Sequence, residues 1–288
     1  MSEAGSTRTG NQRDDRPASE PVAIAAIDVD GTLFPDRAAQ HALLGILSST
    51  GTLGWPAYAR LFRIYIAHRL RLTSPAQARA QAASLVDGVP WVEVEALAEP
   101  LSVELVSKVR PAARTEITAL RARGLRVLLV SASLGPIVAR LADGLGADGY
   151  LASELDVVDG RCSGTFAGPV LEGPEKWRSL RRYADTHFGR GGWRLAAAYG
   201  NSLGDLDLFE QADQAIAVNA HRKLARVAVR RGWGQVDWEK STGAGPSVRS
   251  HRVVWLVGAL LLVVVGVVVA RTAMGPRREA PHRAATMR

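Results

Sequence analysis

Two aspartates separated by one residue, Asp28 and Asp30, stand at the end of the apolar run Val22-Ala23-Ile24-Ala25-Ala26-Ile27 and are followed by Gly31 and Thr32. Such a run reads as a buried parallel strand, and parallel sheets bind ligands outside the carboxyl ends of their strands. Carboxylates this close repel each other unless a cation or unequal protonation separates them. The pair therefore suits a Mg²⁺ site in which one aspartate attacks and the other shuttles protons. The alternative for the same residues is an ordinary Asp-Gly turn with solvated acids.

Three further polar groups follow predicted strands or open a helix. Ser131 ends the strand of Val130-Ser131-Ala132-Ser133, and Lys176 opens a helix after Gly173-Pro174-Glu175. Tyr199-Gly200-Asn201-Ser202-Leu203-Gly204-Asp205 follows another strand. Taken singly, each has a plain structural explanation as a cap, a solvated cation or a loop. Taken with Asp28, Asp30 and the Thr32 hydroxyl, they bring a nucleophile, an ammonium, hydroxyls and a further carboxylate to one sheet edge. Phosphoryl transfer needs that inventory of nucleophile, divalent cation and donors for the equatorial oxygens.

The elements that must position these groups alternate. A helix is expected over 112–123, stopped by Gly124, then a strand over 125–130 and a helix near 134–145. A short strand near Tyr150, a hairpin turning at Asp159-Gly160, a helix near 175–187 and strands at 195–199 and 214–218 complete the pattern. Strands separated by helices imply right-handed crossovers and an α/β fold with a doubly wound parallel sheet. Residues 36–104 interrupt that rhythm with Ala- and Leu-rich helical sequence, read as a helical cap inserted after the first strand. The core is then 21–35 together with 105–240.

Composition restricts the function further. The single cysteine, Cys162, rules out an internal disulfide framework and a thiolate zinc cluster. The six histidines show no pair at helical ligand spacing, and no P-loop or dinucleotide-binding glycine motif occurs. The net charge of +8 is not a nucleic-acid signal, because residues 241–288 carry seven arginines against Glu279 and so hold six of those charges. The internal basic group Arg222, Lys223, Arg226, Arg230 and Arg231 reads as a solvated helix face. Residues 253–270 contain no charged side chain. As a helix they would extend roughly 27 Å, the thickness of a bilayer's hydrocarbon, between Arg252 and Arg271 with Trp255 near one interface. One C-terminal transmembrane helix is expected there, after a linker at 241–252 and before a basic tail at 271–288. Residues 1–20 read as a polar disordered tail without the apolar core of a signal peptide. These features give a single-pass protein of the cell membrane with a cytoplasmic catalytic domain.

The order D-x-D-G-T, Ser, Lys, G-N-S-x-G-D resembles the four motifs of the haloacid dehalogenase-like hydrolases, in the branch related to phosphoserine phosphatases. The resemblance covers roughly residues 21–240 and implies a Rossmann-like core with a cap that closes over the site. It implies that Asp28 takes the phosphoryl group, that Asp30 acts as general acid and then base, and that Ser131, Lys176 and Thr32 bind phosphate. It also implies Mg²⁺ held by Asp28, the backbone carbonyl of Asp30, Asn201 and Asp205. Two positions depart from the pattern. Asn201 stands where most relatives have aspartate, and no glutamate follows the first motif at Pro35-Asp36-Arg37-Ala38-Ala39, where phosphoserine phosphatases read the substrate's amine. The expected activity is hydrolysis of a small phosphorylated metabolite or a lipid phosphate, tethered to a membrane and without nucleic-acid partners. The alternative is a catalytically impaired relative serving as a membrane-anchored scaffold.

Overall fold

The run that ends in the aspartate pair forms the middle of a six-stranded sheet. The computed structural model describes residues 20–34, 59, 60, 62–64, 66, 67, 70 and 72–239. Strand β1 (Val22–Asp28) pairs in parallel with β2 (Arg126–Leu134) on one side and β6 (Trp193–Gly200) on the other. With β3 (Gly149–Ser153), β7 (Gln214–Val218) and β8 (Gly234–Val236), the spatial order is β3-β2-β1-β6-β7-β8, every pairing parallel. The chain winds outward from β1 in one direction and then from β6 in the other. The point where that order reverses, between β1 and β6, is where an open parallel sheet leaves a crevice at its carboxyl edge.

Both faces of the sheet are covered, which explains why β1 is apolar throughout rather than alternating with polar residues. Ile24 and Ala26 face one core with Leu180 and Ala184 of α5 (Pro174–Phe188), Phe209 of α6 (Leu206–Gln211) and Leu224 of α7 (Arg222–Arg231). Ala25 and Ile27 face the other with Ile117 and Leu120 of α3 (Pro111–Ala122), Ile137 and Leu141 of α4 (Gly135–Leu145), and Val94 and Ala98 of α2 (Trp91–Ser107). The basic group at 222–231 lies on α7, whose inward residues are Leu224 and Ala228.

Among the described residues of the insertion expected after β1 is α1 (Pro75–Ala83), begun by a capping box in which Ser74 and Gln77 satisfy each other's backbone N–H groups. The expected cap boundary at 104 falls inside α2, which packs against α4 of the core. The hairpin β4 (Leu155–Val158) and β5 (Arg161–Phe166) turns at Asp159 and Gly160 with φ of 51° and 74°, as a type I′ turn requires. It holds the chain ahead of α2 through Gly88 N–H to Cys162 O at 2.8 Å and Trp91 N–H to Gly160 O at 2.8 Å. Two elements differ from expectation. Strand β2 continues past Ser131 to Leu134, and the short edge strand β8 follows α7. No helix among the described residues is long and apolar enough to cross a membrane. The segments at 1–19, 35–58 and 240–288, with the expected span at 253–270, lie outside the described residues.

Candidate active site

The ammonium of Lys176, from the first turn of α5, sits between two carboxylates at the carboxyl edge of the sheet. Its Nζ donates to Asp28 Oδ1 at 2.6 Å and to Asp205 Oδ1 at 2.5 Å. All three side chains are buried, Asp205 at 1% exposure. The other oxygen of Asp28 accepts from Thr32 Oγ1 at 2.9 Å, so both oxygens of that carboxylate are oriented. Asp205 is turned back toward the strand by the cap of a short 3₁₀ turn, Leu203–Asp205, its Oδ2 accepting from Ser202 N–H at 3.2 Å. Gly200 permits this approach, because a Cβ there would lie 2.5 Å from the Asp205 carboxylate.

Asp30 is held from the neighbouring strand: Ser133 Oγ donates to its Oδ2 at 2.7 Å. Ser131 is buried at the same strand end, its Oγ accepting from Ser133 N–H at 3.0 Å. Asn201, after β6, lies against the turn that follows Asp30. Gly31 has φ of 82°, and a Cβ there would fall 1.8 Å from Asn201 Nδ2. Glycine is required twice over, for the left-handed backbone and for the closeness of that amide. Each residue singled out from the sequence (Asp28, Asp30, Thr32, Ser131, Lys176, Asn201 and Asp205) is therefore at or beside the carboxyl ends of β1, β2 and β6 or the start of α5.

The electrostatics follow from burial. Burial foremost, and then the Asp205 charge, raises the Asp28 carboxyl to about 7, with the Lys176 ammonium opposing both. Burial alone would push Lys176 down, but the Asp205 and Asp28 carboxylates outweigh it and hold the ammonium above its ordinary range. One buried cation thus serves two buried carboxylates, with a third, Asp30, close enough to add to the repulsion at Asp28.

Comparison with known proteins agrees with this arrangement. Residues 25–210 match the model of the haloacid dehalogenase-like hydrolases, well over half of the chain. The chain belongs to that family. Phosphoserine phosphatase SerB1 of Mycobacterium tuberculosis is 27% identical over 228 residues, covering 76% of this chain and 72% of its own. A structure of a protein with unknown function from Bordetella pertussis Tohama I has a TM-score of 0.66 at 24% identity and covers 76% of this chain and 99% of its own. A phospho-aspartyl intermediate analogue of phosphoserine phosphatase has a TM-score of 0.50 at 22% identity, covering 72% and 91%. The sequence match to phosphoserine phosphatase SerB1 puts this haloacid dehalogenase-like hydrolase in the phosphoserine-phosphatase-like branch, and the two structures share its fold.

The donor set of the hydrolase suits a hard divalent cation. Among the described residues no three Asp, Glu, His or Cys side chains gather closely enough to hold an ion by themselves. Two carboxylates, the Asn201 amide and the Asp30 backbone carbonyl are nevertheless the oxygen donors that Mg²⁺ takes, since it keeps much of its water and uses few carboxylates. Burial and the neighbouring Asp205 charge, which together raise Asp28, leave carboxylates that such a cation would neutralise.

Two residues of the site escaped the sequence reading. Ser133 could have been found, because side chains two apart on a strand share a face and Ser131 had already been placed at the edge. Arg110, just before α3, carried no such signal. Its guanidinium is buried against the loop after β1, Nη1 donating to the carbonyls of Gly31, Thr32 and Phe34.

Proposed function

We infer that the chain is a Mg²⁺-dependent phosphomonoester hydrolase acting through an aspartyl-phosphate on Asp28. The observation that carries this reading is the Lys176 ammonium lodged between Asp28 and Asp205 in a buried, carboxylate-rich strand edge. An Asp28 oxygen attacks phosphorus, and the departing alkoxide takes a proton from Asp30. Asp30, now a carboxylate, then removes a proton from water, whose oxygen attacks the same phosphorus, releasing inorganic phosphate and the free Asp28 carboxylate. The Ser133 hydroxyl holds the Asp30 carboxyl in place for both proton transfers. Ser131, Lys176 and Thr32 hold phosphoryl oxygens. Asp28, the Asp30 carbonyl, Asn201 and Asp205 would hold Mg²⁺, which supplies charge neutralisation at the phosphoryl group.

The helical stretch 36–104 acts as a cap that excludes water, and the substrate is a small phosphorylated metabolite or a lipid phosphate. The lipid phosphate gains support from residues 253–270, whose length and lack of charge fit a membrane span that tethers a cytoplasmic catalytic domain. The absence of a glutamate at 35–39 argues against phosphoserine itself. A scaffold reading is favoured by one feature, the amide of Asn201 in place of a carboxylate.

Trapping of the phosphoenzyme separates these readings. A radiolabelled aryl phosphate with Mg²⁺ should transfer label to a base-labile adduct on the native chain. Asp28→Asn should show neither label nor turnover. Asp30→Asn should retain label and lose roughly 10²–10⁴-fold in turnover, the usual worth of general acid–base catalysis. Full activity in Asp28→Asn rejects the mechanism, and an inert native chain leaves the scaffold. For the tether, fractionation should find the full chain with membranes and a chain ending at residue 252 in the supernatant. A full chain in the supernatant rejects it.

A further inference from the structure

Arg110 engages four consecutive backbone carbonyls. Its Nη1 donates to Gly31 O at 3.1 Å, Thr32 O at 2.6 Å and Phe34 O at 2.7 Å, and its own backbone N–H donates to Leu33 O at 2.9 Å. The residue is 6% exposed, and Nη2 reaches Glu239 Oε1 at 2.9 Å. A buried guanidinium is expensive to desolvate, so a mere plug for this loop would more cheaply be apolar. The carbonyls of residues 31–34 belong to neither helix nor strand, and the planar fork of arginine, with its five donors, can serve several at once.

Its location gives that arrangement a consequence. The loop begins at Asp30 and includes Thr32, whose hydroxyl orients Asp28. It ends at Phe34, where the chain leaves for the helical insertion, and Arg110 stands where the chain returns, one residue ahead of α3. Outgoing and returning segments are thus joined by one side chain and one backbone hydrogen bond.

We propose that Arg110 is a positioning residue for the phosphoryl-transfer site. It locks the neck of the insertion to the turn that carries Asp30 and Thr32, so that displacement of the neck moves the proton-transferring carboxyl relative to Asp28. Arg110 is buried and acts on the site through the loop carbonyls it holds. Glu239 extends the same tie to the chain that follows β8.

The test compares the native chain, Arg110→Met and Arg110→Lys, and rests on the hydrolase reading above. Arg110→Met should lower kcat on an aryl phosphate roughly a hundredfold, the effect of a misplacement of about 1 Å at reacting groups, while KM changes far less. Millimolar guanidinium ion should restore part of that kcat, and Arg110→Lys should fall between the two because an ammonium serves the carbonyls without the fork. Amide hydrogen exchange should quicken over residues 29–34 in Arg110→Lys and stay unchanged in β6. Should Arg110→Met not fold, Arg110→Lys and its exchange pattern decide. The proposal is overturned if a folded Arg110→Met keeps native kcat. It is also overturned if kcat falls without recovery by guanidinium or lysine, or if exchange over 29–34 does not change. An inert native chain rejects the hydrolase reading, while the exchange measurement still decides whether Arg110 fixes the loop.

Discussion

Replacing Lys176 by methionine, of similar length and flexibility, removes one charge from the centre of the site. The two carboxylate oxygens it bridges lie 2.6 and 2.5 Å from Nζ, so they are at most about 5 Å apart. Two unit charges at that separation repel by about 3 kcal/mol at an effective dielectric of about 20. Breaking a buried pair by deleting one partner typically destabilises by about 3–5 kcal/mol, and here the deletion orphans two acids. With a urea dependence on the order of 2 kcal/mol/M, the unfolding midpoint should fall by roughly 1.5–2.5 M near pH 8 in the absence of divalent cations. The pH dependence has a definite sign. Asp28 already has a folded-state value of about 7 against 3.8 in the unfolded chain, so between those values the folded protein binds more protons and stability falls as pH rises. Loss of the ammonium raises the folded value further and widens that window, so the deficit of the variant against the native chain should shrink toward pH 5. Adding Mg²⁺ should recover more stability in Lys176→Met than in the native chain, because the cation replaces the missing charge. Turnover should fall by about 10²–10³-fold, as when one preorganised donor to a developing charge is removed. Equal urea midpoints at pH 8, or a deficit that grows on acidification, would refute the charge-sharing argument.

Two further changes probe the loop after β1 and its neighbour. Gly31→Ala forces an L-residue to φ of 82° and a Cβ to within 1.8 Å of the Asn201 amide. It should destabilise by at least about 1–2 kcal/mol from the backbone alone and raise the Mg²⁺ concentration needed for activity, both measurable by thermal unfolding and metal titration; native values for both would be inconsistent with the close approach. Asn201→Asp adds a carboxylate to the oxygen donors and should lower the Mg²⁺ concentration for half-maximal rate, since charge governs affinity for this ion. An unchanged or higher requirement, titrated against the same aryl phosphate, would put Asn201 outside the metal site.

The legible part of this protein was the part governed by local rules. The run at 22–27 has no polar interruption because helices cover the sheet on both faces, and that single fact predicted both the parallel sheet and a site at Asp28. Lys176 and Asp205 were singled out by their places at a helix start and after a predicted strand, and the order of motifs then tied them to Asp28, 148 and 177 positions away. Edge strand β8 was missed because three exposed residues, Gly234–Val236, leave no hydrophobic pattern to read. The continuation of β2 to Leu134 was missed because Ser131 and Ser133 look like a strand's polar end, whereas both are buried there as partners of the site.

The residues that escaped share a physical cause. Ser133 reaches Asp30 across 103 positions, and Arg110 reaches its carbonyls across 76 to 79. Such contacts exist only once the crossovers have laid β2 beside β1 and α3 beneath them, so no window of sequence contains both partners. Parallel pairing makes this unavoidable, because each neighbouring strand must arrive after a connection long enough to hold a helix. The reactive side chains can then be guessed from chemistry, since carboxylate, ammonium and hydroxyl at strand ends suit a phosphoryl group. The groups that orient them are ordinary serines and arginines whose role is set by position alone. Asp30 illustrates the difference: its type and place were visible beside Asp28, but the Ser133 hydroxyl that aims it and the Arg110 fork that fixes its loop required the folded sheet.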